Sequence, residues 1–175
     1  MREQYLNRCM SKNAIRKMSE YAFNPVQTVE PGQNIILDTV IPCNKGYVFH
    51  RDQSGIVILR GAVNNPSCCF ARYQVTFNGN IAIPDGGTVG PISVALAIDG
   101  EPIQTSRAIV TPAATATEPP TSANFFNVTS TAIITVPRGC CFTVAVENTS
   151  GPAAPGGIAP AILVQNANLT VARIS

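Results

Sequence analysis

From residue 34 onward the chain is a succession of apolar runs, most with period two, closed by turns built from Gly, Pro, Asn or Asp. That alternation is what a half-buried strand requires, because successive side chains point to opposite faces. The runs predict strands near 34–41, 55–60, 69–83, 91–98, 101–110, 124–136, 140–148 and 161–174. Between them stand breakers: Pro84-Asp85-Gly86-Gly87, Asp99-Gly100, Pro137-Arg138-Gly139 and Ser150-Gly151-Pro152. Asp99-Gly100 between two apolar runs is a hairpin signal. Strands in this number, with no helix between them, leave an all-β sandwich or jelly roll as the architecture.

A length of 175 residues is enough for one domain with its own core. Charged residues make up only 13%, about half the usual share, and the breakers are spread through the chain rather than pooled. This excludes a disordered chain. It also suits a subunit that is covered by copies of itself.

The first residues differ. Residues 1–23 hold no Gly or Pro, and Leu6, Met10, Ala14, Met18 and Tyr21 recur near helical spacing. They predict an amphipathic N-terminal α-helix ended by Asn24-Pro25. Arg2, Arg8, Lys12, Arg16 and Lys17 stand against Glu3 and Glu20, so a basic head precedes a nearly neutral body. One narrow apolar stripe does not hold a lone helix together in water. Those five apolar residues are therefore anchor candidates, docking on the chain's own domain, on sister helices or in a larger assembly. Residues 24–33 read as an extended linker, so the expected parts are a helix at 1–23, a linker at 24–33 and a head at 34–175.

Some strands are apolar on both faces. In GIVILR, Ile56 and Ile58 share one face and Val57 and Leu59 the other. In ISVALAI, Ile92, Val94, Leu96 and Ile98 face one way and the small Ser93, Ala95 and Ala97 the other. A strand solvated on one side would carry polar groups there. The expectation is a second body approaching that face.

Four stretches, in order, resemble the tumour necrosis factor-like jelly roll, which includes complement-type globular heads. They are ARYQVTFNGNIAI, VALAIDGEPI, TAIITVPRGCCFTVAVENTS and NANLTVARIS. The resemblance covers roughly residues 34–175. It implies a non-enzymatic homotrimer whose closing strand lies near the three-fold axis, with Tyr73, Val75, Phe77, Leu96, Phe142, Leu169 and Val171 as core or interface residues. A calcium ion on the axis, through Asp99 or Asp85, would come by family analogy alone. Collagen-like Gly-X-Y repeats are missing, and no secretory signal follows the polar, basic start. That combination looks more like bacteriophage decoration, head-fibre and tail-associated proteins, with a spore or bacterial surface as the alternative. The expected partners are sister chains and, through the N-terminal helix, other virion proteins. No membrane span is expected.

Little in the chain suggests catalysis. The sole histidine, His50, has only the nearby Asp52 as an orienting acid. Gly86-Gly87 lacks the lysine and helix of a phosphate loop. Basic residues past position 21 stand singly, so nucleic acid is not an expected partner. No cofactor and no metal site are expected, the carboxylates being few and scattered.

Two Cys-Cys pairs remain, Cys68-Cys69 and Cys140-Cys141. Zinc sites need thiolates separated by two to four residues, whereas adjacent strand residues face apart. Alternation places Cys69 and Cys140 inward and Cys68 and Cys141 outward. Buried thiols are the expectation for the inner pair, and a packed subunit interface for the outer one. A disulfide between Cys68 and Cys141, or between protomers, is the alternative. Assembly in a reducing cytoplasm would favour thiols.

Overall fold

The structure is a computed structural model that describes residues 18–41, 47–62, 69–121 and 123–174. The period-two runs pair as antiparallel strands in two sheets. In chain order the strands are β1 (Met18–Phe23), β2 (Gln27–Val29), β3 (Thr39–Ile41), β4 (Val48–His50), β5 (Val57–Arg60) and β6 (Phe70–Ala82). Then come β7 (Ile92–Ile98), β8 (Glu101–Pro102), β9 (Ala108–Val110), β10 (Phe126–Pro137), β11 (Cys141–Asn148) and β12 (Ile162–Arg173). A single 3-10 turn at Gln104–Ser106 separates β8 from β9.

Sheet A runs in the order β10-β6-β12-β1-β3, with β2 also on β12. Sheet B runs β4-β5-β11-β7-β8, with β9 also on β7. The registers align the strand ends at Met18, Phe70, Pro137 and Arg173, and the turn from Pro137 to Cys141 carries the chain into sheet B. This end is called basal here. The opposite, distal end carries Phe23, Ala82, Phe126, Asn148 and Ile162.

The core fills the space between the sheets. Tyr73, Val75, Phe77, Leu96, Leu169 and Val171 are fully buried in it, and Phe142 packs half-buried against it. Each such large apolar side chain contributes about 1.5–3 kcal/mol by leaving water. Ala71, Tyr73, Val75 and Phe77 point inward from β6, and Val144 and Val146 from β11, in the phases alternation gives.

Three expectations need correction. Met18–Phe23 is a strand, not the end of a helix: six consecutive residues pair with β12, and Ser19 and Tyr21 turn inward while Met18 faces out. A neighbouring strand that offers a full backbone ladder outweighs an i, i+3 apolar spacing. The other anchor candidates, Leu6, Met10 and Ala14, lie outside the described residues. Within the predicted linker, β2 pairs with β12 and buries Val29.

The second correction concerns the thiols. Cys69 and Cys140 are exposed, as is Cys141. Strand geometry begins one residue later than the alternation suggests, at Phe70 and Cys141. The Cys69 carbonyl accepts from Arg138 N at 2.8 Å, and Cys140 N–H donates to Pro137 O at 3.1 Å. These bonds tie both residues into the turn between the sheets, where alternation no longer holds. Cys68, and with it the proposed bridge to Cys141, lies outside the described residues.

The third concerns the small face of β7. Ser93, Ala95 and Ala97 are each buried within a single chain. The Arg107 side chain lies across part of this face, donating from Nε to Ser93 Oγ at 3.0 Å and from its terminal nitrogen to Thr149 O at 2.8 Å. No second body is needed there.

Candidate functional site

The strands of sheet A turn one set of side chains to the core and the other set outward. Following the registers, the outward set falls into rows across β1, β12, β6 and β10. One row reads Met18, Ala172, Gln74, Ile133; the next reads Glu20, Thr170, Thr76, Thr131; the third reads Ala22, Asn168, Asn78, Thr129. Gln165, Asn80 and Asn127 follow toward the distal end. An open sheet face normally carries charges. In these rows the one charged residue is Glu20, and Arg72 stands beyond the first row.

The polar groups are bonded mainly to one another. Asn78 Nδ2 donates to Thr129 Oγ1 at 3.1 Å, and Asn127 Nδ2 donates to Asn78 Oδ1 at 3.0 Å and lies 3.1 Å from Asn80 Oδ1. Thr131 Oγ1 donates to Thr76 Oγ1 at 3.2 Å, and Thr170 Oγ1 to Asn168 Oδ1 at 3.2 Å. The Glu20 carboxylate accepts from Asn168 Nδ2. Polar groups already satisfied in this way lose little when water is removed. Met18 and Ile133, 57% and 65% exposed, lie at opposite ends of one row. Low charge, satisfied polar groups and exposed apolar side chains make a surface suited to covering by protein.

The distal part of the same face is closed by the chain itself. Ala82 and Leu163 pack with Ala116, Val26 and Phe125, and Ala116 N–H donates to Ile83 O at 2.8 Å. The loop at 111–123 is thus docked at Ala116, with residues on either side of it exposed. The loop at 149–161 is tied down at its root, where Ser150 Oγ accepts from Ser93 N at 3.0 Å. Its tip is open, with Ile158 93% exposed.

The core or interface candidates Tyr73, Val75, Phe77, Leu96, Leu169 and Val171 face the core, and in sheet A it is the outward residues beside them on β6 and β12, with those of β10, that form the open surface. The residues that sequence reasoning missed are these outward ones: Gln74, Thr76, Asn78, Thr129, Thr131, Ile133, Asn168 and Thr170. Their signal is Thr and Asn at alternate positions where charge would be expected.

His50 stacks on Tyr21, with ring centroids 5.1 Å apart, and its Nε2–H donates to Ser54 O at 2.8 Å. Its Nδ1 is buried without a hydrogen-bond partner. The adjoining cavity of about 310 Å³ is lined by Ser19, Tyr21, Val40, Val48, Phe49, His50 and Asp52. Neither contact aims the ring at a nucleophile. Asp85 and Asp99 fall at opposite ends of the sandwich, and Asp99 Oδ1 accepts from Thr143 N and Oγ1 at 2.8 Å each. Among the described residues no three His, Cys, Asp or Glu side chains converge to hold a metal. Among them, no helix is long and apolar enough to cross a membrane.

Two sheets of this order define an all-β jelly-roll sandwich of the complement and tumour necrosis factor type. The globular domain of zebrafish complement 1qA superposes with a TM-score of 0.60 at 13% identity, covering 91% of this chain and 98% of that one. The Eiger TNF of S. frugiperda gives 0.59 at 12% identity, covering 90% and 92%. At such identities the likeness is one of fold. No protein-family model matches the chain, and no curated protein sequence does.

Proposed function

We propose that the protein is a non-enzymatic structural subunit that assembles as a homotrimer through the open face of sheet A and sits on the surface of a bacteriophage virion. The observation that carries this reading is that face: a charge-poor, internally hydrogen-bonded surface with Met18 and Ile133 exposed on it. A trimer is also what the resemblance to the tumour necrosis factor-like family implies. The virion setting, as capsid decoration, head fibre or tail-associated part, rests on the charge-poor strands and on the basic segment at 1–17, which joins sheet A at Met18 and offers a means of attachment.

The second reading is a receptor- or carbohydrate-binding head on a phage or spore surface. At the distal end Thr88, Pro91, Ala153, Ile158 and their neighbours line a depression of about 130 Å³. It holds no aromatic platform and no carboxylate, so it supports this reading less well.

Native mass spectrometry of the full chain and of Ile133→Glu tests the assembly. The side chain is already exposed, so the variant should fold, and the trimer should fall apart to monomer. A trimer unaffected by the change would overturn the assignment of the face. Immunogold labelling of particles from the host lysate tests the location: label on virions supports it, and label confined to particle-free fractions overturns it.

A further inference from the structure

Four arginines stand at the basal end: Arg60 closing β5, Arg72 near the start of β6, Arg138 in the β10–β11 turn and Arg173 closing β12. The backbone gathers them. Arg60 faces Cys141 in the β5–β11 register, Arg138 N–H donates to Cys69 O at 2.8 Å, and Ile174 N–H donates to Arg72 O at 2.9 Å. Three of the guanidinium groups lie over aromatic rings: Arg60 over Phe49 at 5.1 Å, Arg72 over Phe70 at 5.1 Å and Arg173 over Tyr47 at 3.9 Å.

The distal end has the opposite sign. Glu30, Asp52, Asp85 and Glu118 are exposed there, against Arg51 and an Arg107 engaged with Ser93 and Thr149. The basal acids Asp99 and Glu101 sit on the β7–β8 hairpin, at the opposite edge of sheet B from β4, and Asp99 is engaged by Thr143. The sandwich is therefore polarised along its strands. The segment at 1–17, with five basic residues and one acidic, joins the chain at the basal end through Met18.

We infer that the basal end is a docking surface for an acidic protein surface. Charge complementarity names the partner's sign, and the make-up of the patch names its class. Arginine forks meet carboxylates in a fixed, two-pronged geometry, and stacking on a ring holds the fork in place before the partner arrives. Phe49 and Phe70, 41% and 42% exposed, add apolar area beside the charges. Arginine with aromatic residues is the composition of protein–protein hot spots. Nucleic acid fits less well, because bases need free aromatic faces to stack on, and a guanidinium lies over each of these rings. Every protomer carries the whole patch, so this inference stands apart from the trimer.

The test is fluorescence anisotropy of the full chain with labelled poly-L-glutamate, compared with a single-stranded oligonucleotide of equal charge, at low salt. The peptide should bind more tightly, with an affinity that falls as salt rises. Arg60→Gln with Arg72→Gln should weaken it about tenfold or more, while Arg51→Gln at the distal end should stay within about twofold. Arg60→Lys with Arg72→Lys keeps the charge and should lie between, which holds the test open if the Gln pair unfolds. Tighter binding of the oligonucleotide, equal losses from Arg51→Gln, or no binding of the peptide would overturn the inference. Oligomeric state measured on the same samples keeps any failure of the trimer separate.

Discussion

Gly61 shows how closely the basal turn is built. A Cβ at this position would lie 1.9 Å from Pro137 O, a backbone atom that cannot move without opening the crossover between the sheets. Gly61→Ala is expected to destabilise by roughly 3 kcal/mol. Gly86→Ala meets no atom within 4 Å and bears only the strain of its φ of +73°, about 1 kcal/mol. Urea denaturation of the two variants checks the contrast. Tyr73 ties the sheets together, its hydroxyl donating to Arg60 O. Tyr73→Phe leaves that carbonyl without its donor and should lose about 1–2 kcal/mol. Burial raises the phenol pKa of both Tyr21 and Tyr73 above 10.0, a hydrogen bond with Ser19 and the charge of Arg173 opposing it respectively. As pH rises through 10 the unfolded chain ionises first, so the stability these groups hold below that pH is lost above it. Thermal melts should therefore fall above about pH 10, and less so in Tyr21→Phe with Tyr73→Phe.

Strand β12 carries the plainest lesson about reading elements from sequence. Its inward residues are Ile162 and Val164, then Ala167, Leu169 and Val171, so the phase changes midway. The change occurs at a bulge: Gln165 faces Asn80 and Asn168 faces Asn78, leaving one extra residue on β12. Asn166 takes it up with φ 53°. Deleting Asn166 removes the extra residue and leaves Ile162, Val164, Ala167, Leu169 and Val171 in one continuous phase, so a regular ladder and cooperative unfolding are expected to survive. Asn166→Gly should be tolerated, while Asn166→Val should lose about 1–2 kcal/mol by strain; circular dichroism melts distinguish the three. Long alternating runs such as 69–83 and 124–136 were legible because each carries its own phase. MSEYAF was not, since six residues fit a helical stripe and a strand equally well, and only pairing with β12 decides. Cys69 and Cys140 misled for a related reason: alternation does not say where a strand begins.

At the scale of the molecule, the jelly roll was legible because turn chemistry and period two agree along most of the chain. The candidate face was only half legible. Thr and Asn at alternating positions of β6, β10 and β12 are visible in the sequence, but their meeting in rows depends on strand order, which is a long-range property. The clustering of Arg60, Arg72, Arg138 and Arg173 was hidden for the same reason, each standing alone in sequence. In the proposed trimer, sister chains cover the open face of sheet A. Sedimentation equilibrium of the full chain over a range of concentrations tests it most directly. The expected result is one species of three times the 18.5 kDa chain mass, and a monomer at every concentration would rule the trimer out.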